Sequence, residues 1–158
     1  MSTEHARVAA VQMVSSADIH ANIDAAGRLI AEAADAGAAL VVLPENFAVL
    51  DGGPQAQFAE HEGDFQGLLQ GFLSAQAQRH GIDLVAGTMP LLTRPAPAGQ
   101  GAELLVDGRV RPACLVFDRH GAIIARYDKM HLFDVEVSDR QARYAESDSF
   151  EAGDDVVV

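Results

Sequence analysis

The sequence predicts an α/β fold for one domain over residues 1–158, and three observations carry that prediction. Short uninterrupted apolar runs of the kind that form buried strands recur along the chain. Amphipathic segments with helical spacing lie between the first of them. Strand, helix and strand then follow one another within about 40 residues, the βαβ order of layered α/β proteins. A length of 158 residues can bury a core and suits one domain or a large piece of a bigger one.

Residues 7–13 (RVAAVQM) read as a first buried strand, short and bounded by polar residues. Ser15, Ser16 and Asp18 are candidate caps for a helix whose apolar positions Ile19, Ile23, Ala26, Ile30 and Ala33 share one face. Gly37 suits its end, because glycine accepts the left-handed conformation there. Residues 39–43 (ALVVL) form a second strand that stops at Pro44-Glu45-Asn46. A Gly-rich stretch over residues 51–63 precedes a second amphipathic helix from Phe65 to about His80. Residues 82–87 (IDLVAG) read as a third strand and residues 92–101 as a loop rich in Pro and Gly. Residues 103–106 and 109–117, joined by Asp107-Gly108, predict a β-hairpin. A turn at residues 118–121 leads to a strand over 122–127, then a charged loop runs through Asp148. Val156, Val157 and Val158 look like the start of another buried strand, so the chain is expected to be truncated, the alternative being a short edge strand that pairs and stops.

Composition excludes several classes. Apolar residues make up 49% of the chain, but 28 of them are alanines, so the core rests on fewer large side chains than that share implies. Acidic residues outnumber basic ones 23 to 11, a net charge of −12. That balance argues against nucleic acid and anionic membranes as partners. No apolar run approaches the roughly 20 residues of a membrane span, and no signal-peptide pattern opens the chain. The single cysteine, Cys114, permits no internal disulfide and fits a reducing cytoplasm, the compartment expected.

Three polar residues stand out for chemistry. Glu45 directly follows the second strand, at the carboxyl end where α/β sheets present ligands, as a base or as a surface residue opening a loop. Lys129 follows the strand over residues 122–127, and taken alone it is a solvated lysine. Glu146 lies in the charged loop and means nothing by itself.

Their sequence neighbourhoods carry a resemblance. Val8-Ala-Ala-Val-Gln12, Leu43-Pro44-Glu45-Asn46, Leu115-Val-Phe-Asp118 with Gly121, Tyr127-Asp-Lys-Met-His-Leu-Phe-Asp134, and Tyr144-Ala-Glu146-Ser147 with Gly153-Asp154 occur in that order. Together they resemble the nitrilase superfamily of carbon–nitrogen hydrolases. The run from His131 to Glu136 and the loop around Tyr144 most resemble the branch acting on ω-amides of keto acids and on deaminated glutathione. The resemblance implies the N-terminal portion of a four-layer α-β-β-α sandwich and a cofactor-free amidase acting on a small-molecule amide, homo-oligomeric when intact. It implies Glu45 as general base, Lys129 as the cation beside the oxyanion, and Glu146 as the group orienting Lys129 or positioning substrate and water.

The cysteine nucleophile of that family would follow the lysine at the end of the next strand, which this chain does not reach. Cys114 precedes Lys129 and sits inside an apolar strand, where cysteine acts as a small buried hydrophobe. The chain alone is therefore expected to be inactive. A non-catalytic binding or interaction protein on the same scaffold is the alternative. Pro112 stands near a position where the family often has asparagine, and a proline there predicts an edge or a bulge. His131, Asp134 and Glu136 lack the spacing of a zinc or calcium site, so no metal is expected. His131 and Asp134 are expected to fix the loop carrying Lys129.

Overall fold

The structure, a computed structural model, describes residues 5–50, 55–96, 101–137 and 142–158. Residues 51–54 and 97–100, from the expected Gly-rich stretch and loop, lie outside the described residues. The elements run β1 (Val8–Ala10), α1 (Ile19–Asp35), β2 (Leu40–Val42), α2 (Leu68–His80), β3 (Asp83–Leu91), β4 (Thr93–Pro95) and β5 (Ala102–Leu104). Then come β6 (Arg111–Phe117), β7 (Ile123–Asp128), β8 (Asp134–Val137), β9 (Ala142–Ala145) and a 3-10 turn over Glu146–Asp148.

A five-stranded sheet of order β1-β2-β3-β6-β7 organises the domain. β1, β2 and β3 are parallel, and β6 and β7 extend the sheet antiparallel. Parallel neighbours need crossover connections, and α1 and α2 supply them. Ile19, Ala26 and Ile30 of α1 join Leu69, Leu73 and Ala77 of α2 in one core with Val41, Leu84, Leu115 and Phe117 of the sheet. The opposite face carries Val8, Leu40, Val42, Val85, Cys114 and Val116, and none of these is fully buried.

Local chemistry explains the helix ends. Asp18 accepts the backbone N–H groups of His20 and Ala21 at 3.0 and 3.1 Å, satisfying two donors that the first turn leaves unpaired. Gly37 takes φ 85° just past α1, as a C-terminal glycine should. α2 has no side-chain cap of its own at Gly67. Glu60 serves instead, accepting the N–H groups of Leu69 at 2.6 Å and Gln70 at 3.0 Å.

Several expectations need correction. β5 pairs with β4, not with β6, so no hairpin forms around Asp107-Gly108. Both edges of β6 are already taken, by β3 and β7. Part of the expected loop over residues 92–101 is strand β4. β1 lies at the sheet edge, with Val8 exposed rather than buried. Pro112 lies in an interior strand opposite Pro90, so two residues without N–H groups face each other, and the bulge falls in β3 between Ala86 and Met89. The charged loop holds the β8–β9 ladder. Val156, Val157 and Val158 join no ladder and are exposed.

Candidate active site

Glu45 leaves the carboxyl end of β2 on a turn that two neighbours shape. Leu43 donates its N–H to Val85 O at 2.9 Å, carrying the β2–β3 ladder up to the turn. Asn46 adopts φ 54°, a left-handed conformation that asparagine tolerates better than most residues. Its N–H donates to Thr88 Oγ1 at 3.3 Å, and the Thr88 hydroxyl donates to Asn46 Oδ1 at 3.4 Å. Gly87 lets β3 pass beneath the Pro44 carbonyl, where any side chain would collide.

Lys129 sits one residue beyond β7 and is held through its backbone. Its N–H donates to Pro112 O at 3.0 Å, and its carbonyl accepts the Gly153 N–H at 2.9 Å. Gly153 packs so closely that a Cβ there would lie 2.4 Å from Asp128 O. Glu146 opens the 3-10 turn after β9. It exchanges hydrogen bonds with Phe133, accepting that residue's N–H on Oε2 at 2.8 Å and donating its own N–H to Phe133 O at 3.2 Å. Asp134 Oδ1 accepts the Ser147 N–H at 3.1 Å, so Asp134 ties down the turn that bears Glu146.

The three expected site residues converge. Lys129 Nζ donates to Glu45 Oε1 at 2.7 Å, across 84 positions of sequence, and to Glu146 Oε2 at 2.8 Å. The side chains of Lys129 and Glu146 are 20% and 25% exposed, whereas that of Glu45 is 54% exposed. Burial lowers the proton affinity of Lys129, but the hydrogen bonds to Glu146 and then Glu45 outweigh it and hold the pKa above the usual lysine value. The ammonium is thus charged at neutral pH, with one carboxylate toward solvent and one held inside. This arrangement can stabilise a developing anion and move protons at its edge.

Cys114 lies in β6 opposite Tyr127, on the sheet face away from the helices. Burial pushes its thiol pKa up, which keeps it protonated and a poor nucleophile. Among the described residues, no group of three or more His, Cys, Asp or Glu is arranged to hold a metal ion. No described helix is long and apolar enough to cross a membrane.

Sequence reasoning missed Gly87, Thr88 and Asn46 as supports of Glu45. It also missed a signal that needed only counting. Lys129 is the one lysine in the chain, and the other ten of its 11 basic residues are arginines. A compact ammonium on a flexible stem suits a site between two carboxylates, whereas a guanidinium fork suits planar pairing.

The carbon-nitrogen hydrolase family model matches residues 7–158. A deaminated glutathione amidase of Yersinia enterocolitica is 31% identical over 98% of this chain and 50% of its own length. An omega-amidase of Xenopus tropicalis is 31% identical over 96% of this chain and 49% of its own length. The chain spans about half the length of the curated relatives it matches. Among solved structures, the NitFhit protein of C. elegans is 26% identical with a TM-score of 0.72, over 95% of this chain and 34% of that one. An amidase of Nesterenkonia sp. AN1, described with acrylamide added at its active-site cysteine, shares the fold at 23% identity and a TM-score of 0.68, over 96% of this chain and 51% of that one. The chain belongs to the carbon-nitrogen hydrolase family of the nitrilase superfamily.

Proposed function

We propose that this chain carries the acid–base part of an amidase centre that converts a small carboxylic amide to its acid and ammonia, and that the thiol nucleophile comes from outside residues 1–158. The observation that carries the reading is the Lys129 ammonium bridging Glu45 and Glu146 in a carbon-nitrogen hydrolase chain.

In this mechanism Glu45, the solvent-facing carboxylate, takes the proton of an incoming thiol. The thiolate adds to the amide carbon, and Lys129 stabilises the oxyanion. Glu45 returns the proton to the leaving nitrogen, so ammonia departs and a thioester remains. Water, deprotonated by Glu45, then releases the acid, and the proton goes back to the thiolate. Glu146 holds Lys129 in place through its carboxylate contact. The relatives named for deaminated glutathione and omega-amides point to amides of small carboxylic acids as substrates.

Cys114 is a poor candidate for that nucleophile, because burial pushes its thiol pKa up whereas a nucleophilic cysteine needs it lowered. The active-site cysteine of the Nesterenkonia amidase supports a thiol as the missing group. The incompletely buried apolar face around Val42, Val85 and Val116 supports the reading that further chain covers this sheet in the intact enzyme. The test compares two proteins from the gene: the 158-residue chain, and the product continued into its downstream frame. We expect no ammonia from small ω-amides with the first, and release with the second that is lost on Glu45→Gln. Ammonia release by the 158-residue chain that survives Cys114→Ala overturns the proposal. A continued frame without a downstream cysteine favours a non-catalytic binding protein instead.

A further inference from the structure

Arg111 opens β6, and its side chain is only 8% exposed. Nη1 donates to Ala152 O at 2.5 Å and lies 3.7 Å from Asp128 Oδ2, and Nη2 donates to Glu151 Oε1 at 2.7 Å. These partners flank the site on two sides. Asp128 immediately precedes Lys129, and Ala152 immediately precedes Gly153, whose N–H holds the Lys129 carbonyl.

The chain over residues 146–153 is a strap tied to Lys129 at both ends, by the Glu146 carboxylate and by the Gly153 N–H. Its middle pairs with Val110, the residue just before β6. Val110 donates its N–H to Ser149 O at 3.1 Å, and Glu151 donates its N–H to Val110 O at 3.0 Å. At the start of the strap, Glu146 O accepts the N–H groups of Ser149 and Phe150 at 2.9 and 2.8 Å, so a shift at residues 149–152 moves Glu146 too.

We propose that Arg111 is a positioning residue: by joining residue 128 to residues 151 and 152, it sets the distance between the Glu146 carboxylate and the Lys129 ammonium. Stability alone does not account for it. Among the described residues Arg111 Nε has no hydrogen-bond partner, an unfavourable state for a buried N–H, and apolar residues often replace buried ion pairs at no net cost. Its removal leaves no carboxylate alone, since Asp128 keeps Arg126 and Glu151 keeps Arg94. Arg111→Met is therefore expected to fold.

The catalytic meaning rests on the proposed hydrolysis, but the geometry can be read without any turnover. Because Lys129 is the one lysine, its acetylation by acetic anhydride at neutral pH, followed by mass spectrometry against the α-amino group, reports this site alone. Arg111→Met is expected to speed that acetylation by about fivefold, the scale of one weakened charge-assisted hydrogen bond. In a Glu146→Gln background the same substitution is expected to add nothing. An unchanged rate in folded Arg111→Met, or the same factor in both backgrounds, overturns the proposal. If Arg111→Met does not fold, Glu151→Gln, which loosens the other end of the contact, is held to the same two criteria. Either result leaves the amidase reading to its own ammonia assay.

Discussion

Gly87 lies with its backbone against the Pro44 carbonyl, so close that a Cβ on Gly87 would come within 2.2 Å of that oxygen. β3 therefore runs directly beneath the turn that presents Glu45. Gly87→Ala forces either the strand or the turn to move, and the 2.7 Å contact from Lys129 to Glu45 depends on that turn. We expect a loss of about 1–3 kcal/mol in urea unfolding, the usual cost of overpacking. Lys129 acetylation should rise with it, because one of its two carboxylates is displaced.

Lys129 makes stability depend on pH in a definite direction. Burial alone would lower its pKa, but hydrogen bonds to Glu146 and Glu45 raise it above the unfolded value. A raised folded value means that the contribution is complete below the ordinary lysine pKa and fades as pH climbs through the folded one. From about pH 10 upward, the urea midpoint of the native chain should fall more steeply than that of Lys129→Met. Parallel slopes for the two proteins would mean that Glu146 and Glu45 do not raise the Lys129 pKa on folding, and would overturn this prediction.

The parts of this fold that sequence reveals are those governed by local chemistry. The runs 39–43 and 82–87, the cap Asp18 and the stop Gly37 mark β2, β3 and α1, because apolar continuity and capping act within a few residues. The hairpin expected at Asp107-Gly108 failed because that turn chemistry fixes only a change of direction. Pairing was decided by distant partners: β5 found β4, while β3 and β7 claimed both edges of β6. The approach of Glu45 to Lys129 is equally non-local, since it depends on a sheet order and strand directions that put the turn after β2 and the end of β7 at the same end of the sheet, with β3 and β6 between them. Residue identity at the site was legible through resemblance, whereas its supports at Gly87 and Thr88 were not, because they act by closeness rather than by chemistry of their own.

Glu60 replaces a helix cap from outside the helix. Its carboxylate accepts two backbone N–H groups at the start of α2 and the side-chain amide of Gln70 at 3.0 Å, all in a buried setting. Removing it leaves those donors unpaired away from water. Glu60→Ala should cost about 2–3 kcal/mol in urea unfolding, above a typical exposed cap. Asp18→Ala, which removes an exposed cap of α1, should cost about 1 kcal/mol. Equal effects would mean that burial of the Glu60 carboxylate adds nothing.

Cys114 provides the sharpest check on where the chemistry does not lie. Its side chain projects from β6 on the sheet face away from the helices, among Val85 and Val116. Burial shifts its pKa upward. A nucleophilic cysteine needs the reverse, a thiolate favoured by a nearby cation or helix N-terminus. Alkylation of this single thiol by iodoacetamide should therefore be slower than that of a free cysteine, with a midpoint above the ordinary thiol value. Cys114→Ala should leave the acetylation rate of Lys129 unchanged and cost about 1 kcal/mol or less, since the side chain is only partly buried and forms no disulfide. Fast alkylation at neutral pH, or a change at Lys129 on losing the thiol, would make Cys114 part of the site and overturn the proposal that the nucleophile comes from outside these residues.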